Sequence, residues 1–199
     1  MAEQKIYDLV VIGSGPAGYT GAIRAAQLGL QVACVEREPA LGGTCLRIGC
    51  IPSKALLEST ARLMEAQAHF AAHGITADNL SADLGTMQKR KDGIVKTLTQ
   101  GVAGLLKKHK IDRVMGHATL KARKGDVWTI AIKGDSDAAE LQAKKVLLAT
   151  GSREFVLPGI EMHGDRIGSS TEALDYKEVP KHLVVVGGGA IGLELGSVY

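Results

Sequence analysis

The sequence predicts an α/β fold: a parallel sheet flanked by helices, with an added antiparallel β-meander, then the first strand and helix of a second such domain. Three observations predict it. Near-continuous apolar runs rich in β-branched residues stand at 6–12, 30–36 and 182–186, as expected of parallel strands covered on both faces. The first and last of these pass directly into glycine clusters that open helical patterns. Between them, from Arg113 to Leu148, the pattern turns to strands, separated by Gly125-Asp126 and Gly134-Asp135.

The first strand, IYDLVVI, runs into Gly13-Ser14-Gly15-Pro16-Ala17-Gly18. A helix is expected from there to Gly29, with Ala22, Ile23, Ala26 and Leu28 on its buried face. The run 30–36 (LQVACVE) returns as a second strand, so a βαβ unit fits within about 30 residues. An amphipathic helix is expected over 55–73, stopping at Gly74. Asp83 is placed to cap another, with Met87, Ile94, Leu98, Val102 and Leu105 on one face. The strands VMGHATLKA, VWTIAI and KKVLLAT follow, the last ending on a ligand-facing loop at Ala149-Thr150-Gly151. The expected organisation is a first domain over 1–150, a polar, proline-punctuated connector over 151–180, and the truncated start of a second domain over 181–199. A strand and helix this short cannot bury their own faces. The chain is therefore expected to be part of a longer protein, or its last segment to lean on something else.

Composition suits a globular protein, with 45% hydrophobic and 23% charged residues and a net charge of +3. The basic clusters Lys89-Arg90-Lys91 and Lys107-Lys108-His109-Lys110 read as a solvated helix face and a helix C-terminus rather than a nucleic-acid surface. No apolar run approaches the roughly 20 residues that span a bilayer. No export signal is read near the N-terminus, so the expected compartment is the cytoplasm. In such a reducing compartment structural disulfides are rare. The three cysteines, Cys34, Cys45 and Cys50, then point to redox chemistry or a metal for any close pair.

The glycines of the first cluster fit a dinucleotide site. Gly13 permits the tight turn, Gly15 lets a pyrophosphate approach the backbone, and Gly18 allows close helix–strand packing. Phosphates would sit on the unpaired N–H groups at the helix N-terminus. Glu36 ends the second strand, 18 residues after Gly18, where a carboxylate can accept ribose hydroxyls. This is a Rossmann-like arrangement, and alone it does not choose between FAD and NAD.

Cys45 and Cys50 are separated by four residues. On a regular helix such residues lie about 8–9 Å apart at a rise of about 1.5 Å per residue, whereas a disulfide wants Cα atoms about 4.4–6.8 Å apart. Gly42, Gly43 and Gly49 loosen the backbone, and Pro52 lacks the N–H that would bond the carbonyl of Ile48. An irregular turn leading into a helix is expected, and helix N-termini favour thiolate leaving groups. A zinc site lacks the usual spacing and a second ligand pair. Cys34, inside a strand, reads as a core residue.

The segment Gly42-Gly43-Thr44-Cys45 … Gly49-Cys50-Ile51-Pro52-Ser53-Lys54-Ala55-Leu56-Leu57 resembles the redox motif of dihydrolipoamide dehydrogenases, whose relatives include glutathione and mercuric reductases. The likeness covers essentially the whole chain. Arg47-Ile48 departs from it, since Asn-Val is usual there, and puts a positive charge beside the cysteines. The resemblance implies a Rossmann-like FAD-binding domain followed by the first βα unit of a Rossmann-like NAD-binding domain. It implies an electron route from dihydrolipoamide through a Cys45–Cys50 disulfide and FAD to NAD⁺, with Cys45 as interchange thiol and Cys50 against the flavin. Lys54 would face the flavin and pair with Glu194; an ion pair of Lys54 with Glu58 on an exposed helix face is the plainer alternative. Expected FAD contacts are Gly13, Gly15, Pro16, Ala17, Gly18, Glu36, Arg37, Gly43, Thr44, Cys45, Lys54, Ala118, Thr150 and Gly151. NAD would be held by Gly187, Gly189 and Gly192. The implied partners are a lipoyl domain of a 2-oxo acid dehydrogenase complex and a second copy of the full-length protein, with no nucleic acid and no membrane. A related disulfide reductase or a non-catalytic flavin-binding module are the alternatives.

The family's dithiol base is a His followed five residues later by Glu, contributed by the partner subunit. None of the six histidines here has that spacing. The 199-residue chain alone is therefore expected not to turn over dihydrolipoamide even with FAD bound; a steady-state assay of the isolated polypeptide checks this, and normal turnover refutes it.

Overall fold

The strand β1 (Ile6–Ile12) lies at the centre of a six-stranded sheet, and its neighbours are set by what covers it. On one side it pairs in parallel with β2 (Val32–Glu36), Val10 facing Ala33; on the other it pairs in parallel with β6 (Glu140–Leu148), Val10 facing Val146. β3 (Asp112–Met115) adds in parallel beyond β2. β5 (Val127–Lys133) and β4 (His117–Lys124) extend the other side antiparallel, giving the order β3-β2-β1-β6-β5-β4. The apolar runs explain the centre: Val10, Val11, Ala33 and Cys34 are fully buried. The sequence HATLKARK of β4 explains the edge, where lysines and an arginine keep an exposed ladder from recruiting another strand. The computed structural model describes residues 5–134, 140–164 and 166–199, so Asp135 of the expected second turn lies outside the described residues.

The chain forms two units, Met1–Arg47 with Thr97–Arg153 and Ile48–Lys96 with Glu154–Tyr199. The first holds the sheet, whose core joins Tyr7, Val10, Ile12, Ala33, Val35, Val114, Ile130, Ile132, Leu141 and Ala143. Against it α1 (Pro16–Gln27) buries Gly18, Ala22 and Ala25, one helical stripe. Leu28, expected on that stripe, is 64% exposed because it falls at the C-cap, one residue beyond the helix. VMGHATLKA is two strands rather than one. The chain breaks at Gly116, whose N–H goes to the Glu36 carbonyl at 2.9 Å, so β3 joins the parallel side and β4 the antiparallel edge. An alternating pattern signals extended backbone but does not name its partner.

The second unit contains α3 (Cys50–Ala68), a 3₁₀ turn (Phe70–His73) closing on Gly74, and a helix in the connector, α5 (Ser170–Ala173). That short helix, unexpected from the proline-punctuated stretch, is held by a capping box: Ser169 accepts from Thr171 N at 3.1 Å, and Glu172 accepts from Ser169 N at 2.7 Å. α6 (Ala190–Val198) follows the second glycine cluster. Leu56, Leu174, Leu195 and Val198 form this unit's core, with Leu57, Met87, Ala173 and Tyr199 packed on it. The expected strand 182–186 is not paired, and Val184 and Val186 are 72% and 76% exposed. A strand exists only through its ladder, and no described strand lies beside this run.

Asp83 caps α4 (Leu84–Lys108) as expected, accepting from Thr86 N at 3.1 Å. The buried stripe differs from the apolar one. Lys91, Thr99, Val102 and Leu106 are buried, while Leu98 and Leu105 are 39% and 43% exposed. Within the basic triplet, Lys91 departs from the expected solvated face and is buried. The Lys91 ammonium donates to the Leu174 carbonyl at 2.9 Å, pairs with Asp175, and lies 3.2 Å from Asp92. Arg90 donates to the Ala55 carbonyl at 2.8 Å. Lys89 and Arg90 are exposed, as expected of a solvated face. A stripe drawn from apolar residues alone misses a lysine whose charge is satisfied inside.

Lys91→Met, which keeps the aliphatic stem but strips the Leu174 carbonyl of its donor, is expected to lower stability by about 1–3 kcal/mol. Lys89→Met should stay within about 0.5 kcal/mol. Urea unfolding of the two variants checks the contrast.

Candidate active site

The first glycine cluster folds into a turn that leaves no room for a side chain at Gly13 or Gly18. An added Cβ at Gly18 would lie 1.8 Å from the Gly13 carbonyl oxygen, and one at Gly13, whose φ is +99°, would lie 2.3 Å from the Ala149 carbonyl oxygen. The turn therefore touches both its own helix and the Ala149-Thr150-Gly151 loop after β6. Gly15 is the N-cap of α1, no side chain caps that end, and the first N–H groups of the helix have no intrahelical partners. Together these make a backbone cradle for a pyrophosphate, the donor set such a group requires.

Glu36 is buried at the end of β2 and closes the cradle. Its Oε2 accepts from Ser14 N at 2.9 Å and Ser14 Oγ at 2.7 Å, and its Oε1 accepts from Glu38 N at 3.1 Å. Burial pushes this carboxyl up, but the Ser14 hydroxyl and the N–H groups of Ser14, Glu38 and Arg37 outweigh it, and the group lies below the ordinary glutamate value. Arg37, beside it, is exposed. Ala118 sits on β4, half-buried against the core.

The cysteine segment begins against this turn. An added Cβ at Gly43, where φ is +60°, would lie 2.5 Å from Gly15 Cα, so the two glycine backbones meet directly. Gly42 N–H donates to the Ser14 carbonyl at 3.0 Å. From Gly43 the chain enters the short helix α2 (Gly43–Ile48), which carries exposed Thr44 and half-buried Cys45. At Gly49, φ −147° and ψ −116°, the helix is interrupted, and α3 starts with exposed Cys50 as its first residue. The irregular turn expected from the glycines is this break. Cys34, Cys45 and Cys50 are all present as thiols, not as a bridged pair. Cys34 is a core residue: burial, then the nearby Glu36 charge, pushes its thiol up to about 12.

In the second unit, Lys54 on α3 and Glu194 on α6 meet at 3.4 Å. Glu58, the alternative partner of Lys54, pairs with Arg62 instead. Both Lys54 and Glu194 are substantially exposed, so their attraction contributes little to stability, about 0–1 kcal/mol. The second glycine cluster repeats the local geometry of the first. A Cβ at Gly192 would lie 2.3 Å from the Gly187 carbonyl oxygen, and the N-cap Gly189 has φ −77° and ψ 175°, close to the −67° and −177° of Gly15. A second dinucleotide turn is thus formed although its strand has no ladder.

Sequence reading missed Ser14, Glu38 and Arg47 as members of the site. Ser14 is fully buried between two glycines, and Arg47 donates to Glu38 Oε2 at 3.0 Å. A polar residue inside a glycine turn followed by an acid at the strand end was the available signal for Ser14. Nothing local pairs positions 38 and 47. No cluster of metal-ligating side chains occurs among the described residues, and no described helix is long and apolar enough to cross a membrane.

The depressed Glu36 carboxyl sets a pH dependence. Its folded value lies below its unfolded one, so its stabilisation is present above the unfolded value of about 4.3 and is lost as pH falls through the folded value. Glu36→Gln is expected to be less stable near neutrality and to lose less between about pH 5 and 3 than the unsubstituted protein. Thermal unfolding across that range checks it.

The sequence profile of the family "Pyridine nucleotide-disulphide oxidoreductase" matches residues 7–199. The chain is 48% identical over 193 residues to dihydrolipoyl dehydrogenase 2, mitochondrial, of Arabidopsis thaliana, covering 96% of this chain and 37% of that protein. It is 48% identical over 194 residues to dihydrolipoyl dehydrogenase 3 of Pseudomonas aeruginosa, covering 97% of this chain and 41% of that protein. Among solved structures, the HOCl-induced flavoprotein disulfide reductase RclA from Escherichia coli superposes with a TM-score of 0.75 at 32% identity, over 96% of this chain and 39% of that one. The chain thus spans about two fifths of the length of these relatives. With a six-stranded α/β sheet, a glycine cradle and a cysteine helix set against it, the chain belongs to the pyridine nucleotide-disulphide oxidoreductases.

Proposed function

We propose that this chain is the FAD-binding, thiol-exchanging part of a dihydrolipoyl dehydrogenase, acting with NAD⁺ as electron acceptor. One observation carries the reading: the helix bearing Cys45 starts where Gly43 abuts Gly15, so the thiol is two residues from the backbone of a dinucleotide cradle. The 48% identity to dihydrolipoyl dehydrogenases favours this branch over glutathione or mercuric reductases.

FAD, when bound, supplies two-electron transfer between the cysteines and the nicotinamide. The residues of the chain do the rest. The α1 N-terminus, Gly13, Gly15 and Gly18 hold the pyrophosphate, Glu36 orients the ribose, and Thr44, Ala118, Thr150 and Gly151 line the remainder. Cys45 and Cys50 cycle between dithiol and disulfide. Both thiols of dihydrolipoamide are oxidised to its disulfide, and the two electrons and two protons pass to the cysteine pair through a mixed disulfide at Cys45. Lys54, steadied by Glu194, places a positive charge by the flavin, and Gly187, Gly189 and Gly192 cradle NAD. A lipoyl domain and a second full-length subunit are the partners of this reading, the latter supplying the histidine base.

In the intact gene product, Cys45→Ser or Cys50→Ser is expected to cut dihydrolipoamide oxidation by at least about 10³-fold, the scale of losing a catalytic nucleophile. FAD-loaded protein titrated with dithionite is expected to show a long-wavelength charge-transfer band that Cys50→Ser abolishes. A protein that stays colourless after FAD reconstitution, or one that turns over glutathione or Hg²⁺ in preference to dihydrolipoamide, overturns the assignment.

A further inference from the structure

A closed circuit of hydrogen bonds joins the dinucleotide turn to the cysteine helix, and all of it lies in the first unit. Ser14 donates its N–H and its hydroxyl to Glu36 Oε2, at 2.9 and 2.7 Å. The other oxygen of Glu36 accepts from Glu38 N at 3.1 Å. The Glu38 carboxylate in turn accepts from Arg47 Nη2 at 3.0 Å. Arg47 is two residues beyond Cys45 on α2. The residue before α2, Gly42, returns to Ser14, donating to its carbonyl at 3.0 Å and lying 3.3 Å from its hydroxyl. The helix carrying Cys45 is thus tied at both ends to the residues that form the cradle.

The Arg47 link is not an ordinary surface ion pair. Its side chains are 22% and 35% exposed, whereas Arg37, the other cation near Glu38, is 66% exposed and more distant at 3.4 Å. The contact is one charge-assisted hydrogen bond, from Arg47 Nη2 to Glu38 Oε2, between two partly buried side chains. The positive charge that marks this chain's departure from the usual Asn is spent on Glu38. A ligand that grips Glu36 and the Ser14 turn therefore also fixes what Arg47 holds.

We infer that Arg47 is a positioning residue that, through Glu38, couples occupancy of the dinucleotide cradle to the exposure and reactivity of Cys45. The inference rests on the reading of Cys45 as the exchange thiol beside an FAD site. Coupling between two sites acts in both directions, so loosening α2 is expected to weaken dinucleotide binding as well as to change the reactivity of the thiol, without the rate and the affinity having to change by the same factor.

The test uses a Cys50→Ser background, in which Cys45 is the accessible thiol because Cys34 is fully buried. FAD dissociation constants from flavin fluorescence and the rate of Cys45 reaction with a disulfide reagent, with and without FAD, are measured for Arg47, Arg47→Gln, Arg47→Lys and the reversed pair Arg47→Glu with Glu38→Arg. FAD is expected to change the Cys45 rate by at least about fivefold when Arg47 is present, a typical coupling. Arg47→Gln is expected to bring that ratio close to one and to weaken FAD binding several-fold; the reversed pair restores both, and Arg47→Lys falls between. Should Arg47→Gln lower only the melting temperature and leave the ratio intact, or the reversed pair fail to restore it while folded, the tie is merely structural and the inference falls. Failure of the unsubstituted protein to bind FAD at all sinks the functional reading itself, and the inference with it.

Discussion

Two backbones in this protein approach so closely that Gly43 has no room for a side chain. Gly43 meets Gly15 across a gap in which an added Cβ would sit 2.5 Å from Cα. That contact places the start of the cysteine helix on the glycine turn and allows Gly42 to bond Ser14. Ser14 is then buried, and a buried hydroxyl and N–H require an acceptor, which Glu36 provides. The position of Glu36 is set in turn by β2, whose five residues are all buried in the sheet. A steric constraint thus becomes an electrostatic one within a few residues.

The sheet gives this arrangement its rigidity. β1 and β2 end together, with Ile12 opposite Val35 in register, so the turn after one strand and the acid after the other are brought together by ladder geometry. β6 pairs with β1 on the other side and delivers the Ala149 carbonyl against Gly13. Ligands of open α/β sheets bind at the carboxyl ends of parallel strands, and here three such ends converge. The antiparallel strands β4 and β5 widen the sheet beyond β6 and contribute Ile130 and Ile132 to its core.

The second unit is organised differently, around helices and one buried cation. Lys91 lies among Leu174, Asp175 and Asp92, and Arg90 reaches the carbonyl of Ala55, next to Lys54. These bonds hold the connector helix and the Cys50 helix to α4, while Leu195 and Val198 pack α6 on Leu56. The meeting of Lys54 with Glu194 follows from this packing and not from the attraction of two exposed charges.

Local features were legible in the sequence because their causes are local. The β1 span, the two glycine turns, the Asp83 cap, the Gly49 break and the burial of Cys34 each follow from a few adjacent residues and the backbone they allow. What adjacent residues cannot encode is the partner. That Gly116 would divide one extended run between two sides of the sheet, that Leu28 and Leu98 would face solvent, and that Lys91 would be buried all depend on groups brought near by the fold. The same holds for Arg47, whose charge was visible and whose partner Glu38 was not. Motifs are short-range steric and hydrogen-bonding solutions, and sequence alone determined them. Ion pairs, ladder neighbours and the choice of buried stripe are settled by desolvation across the folded chain, which only the tertiary structure decided.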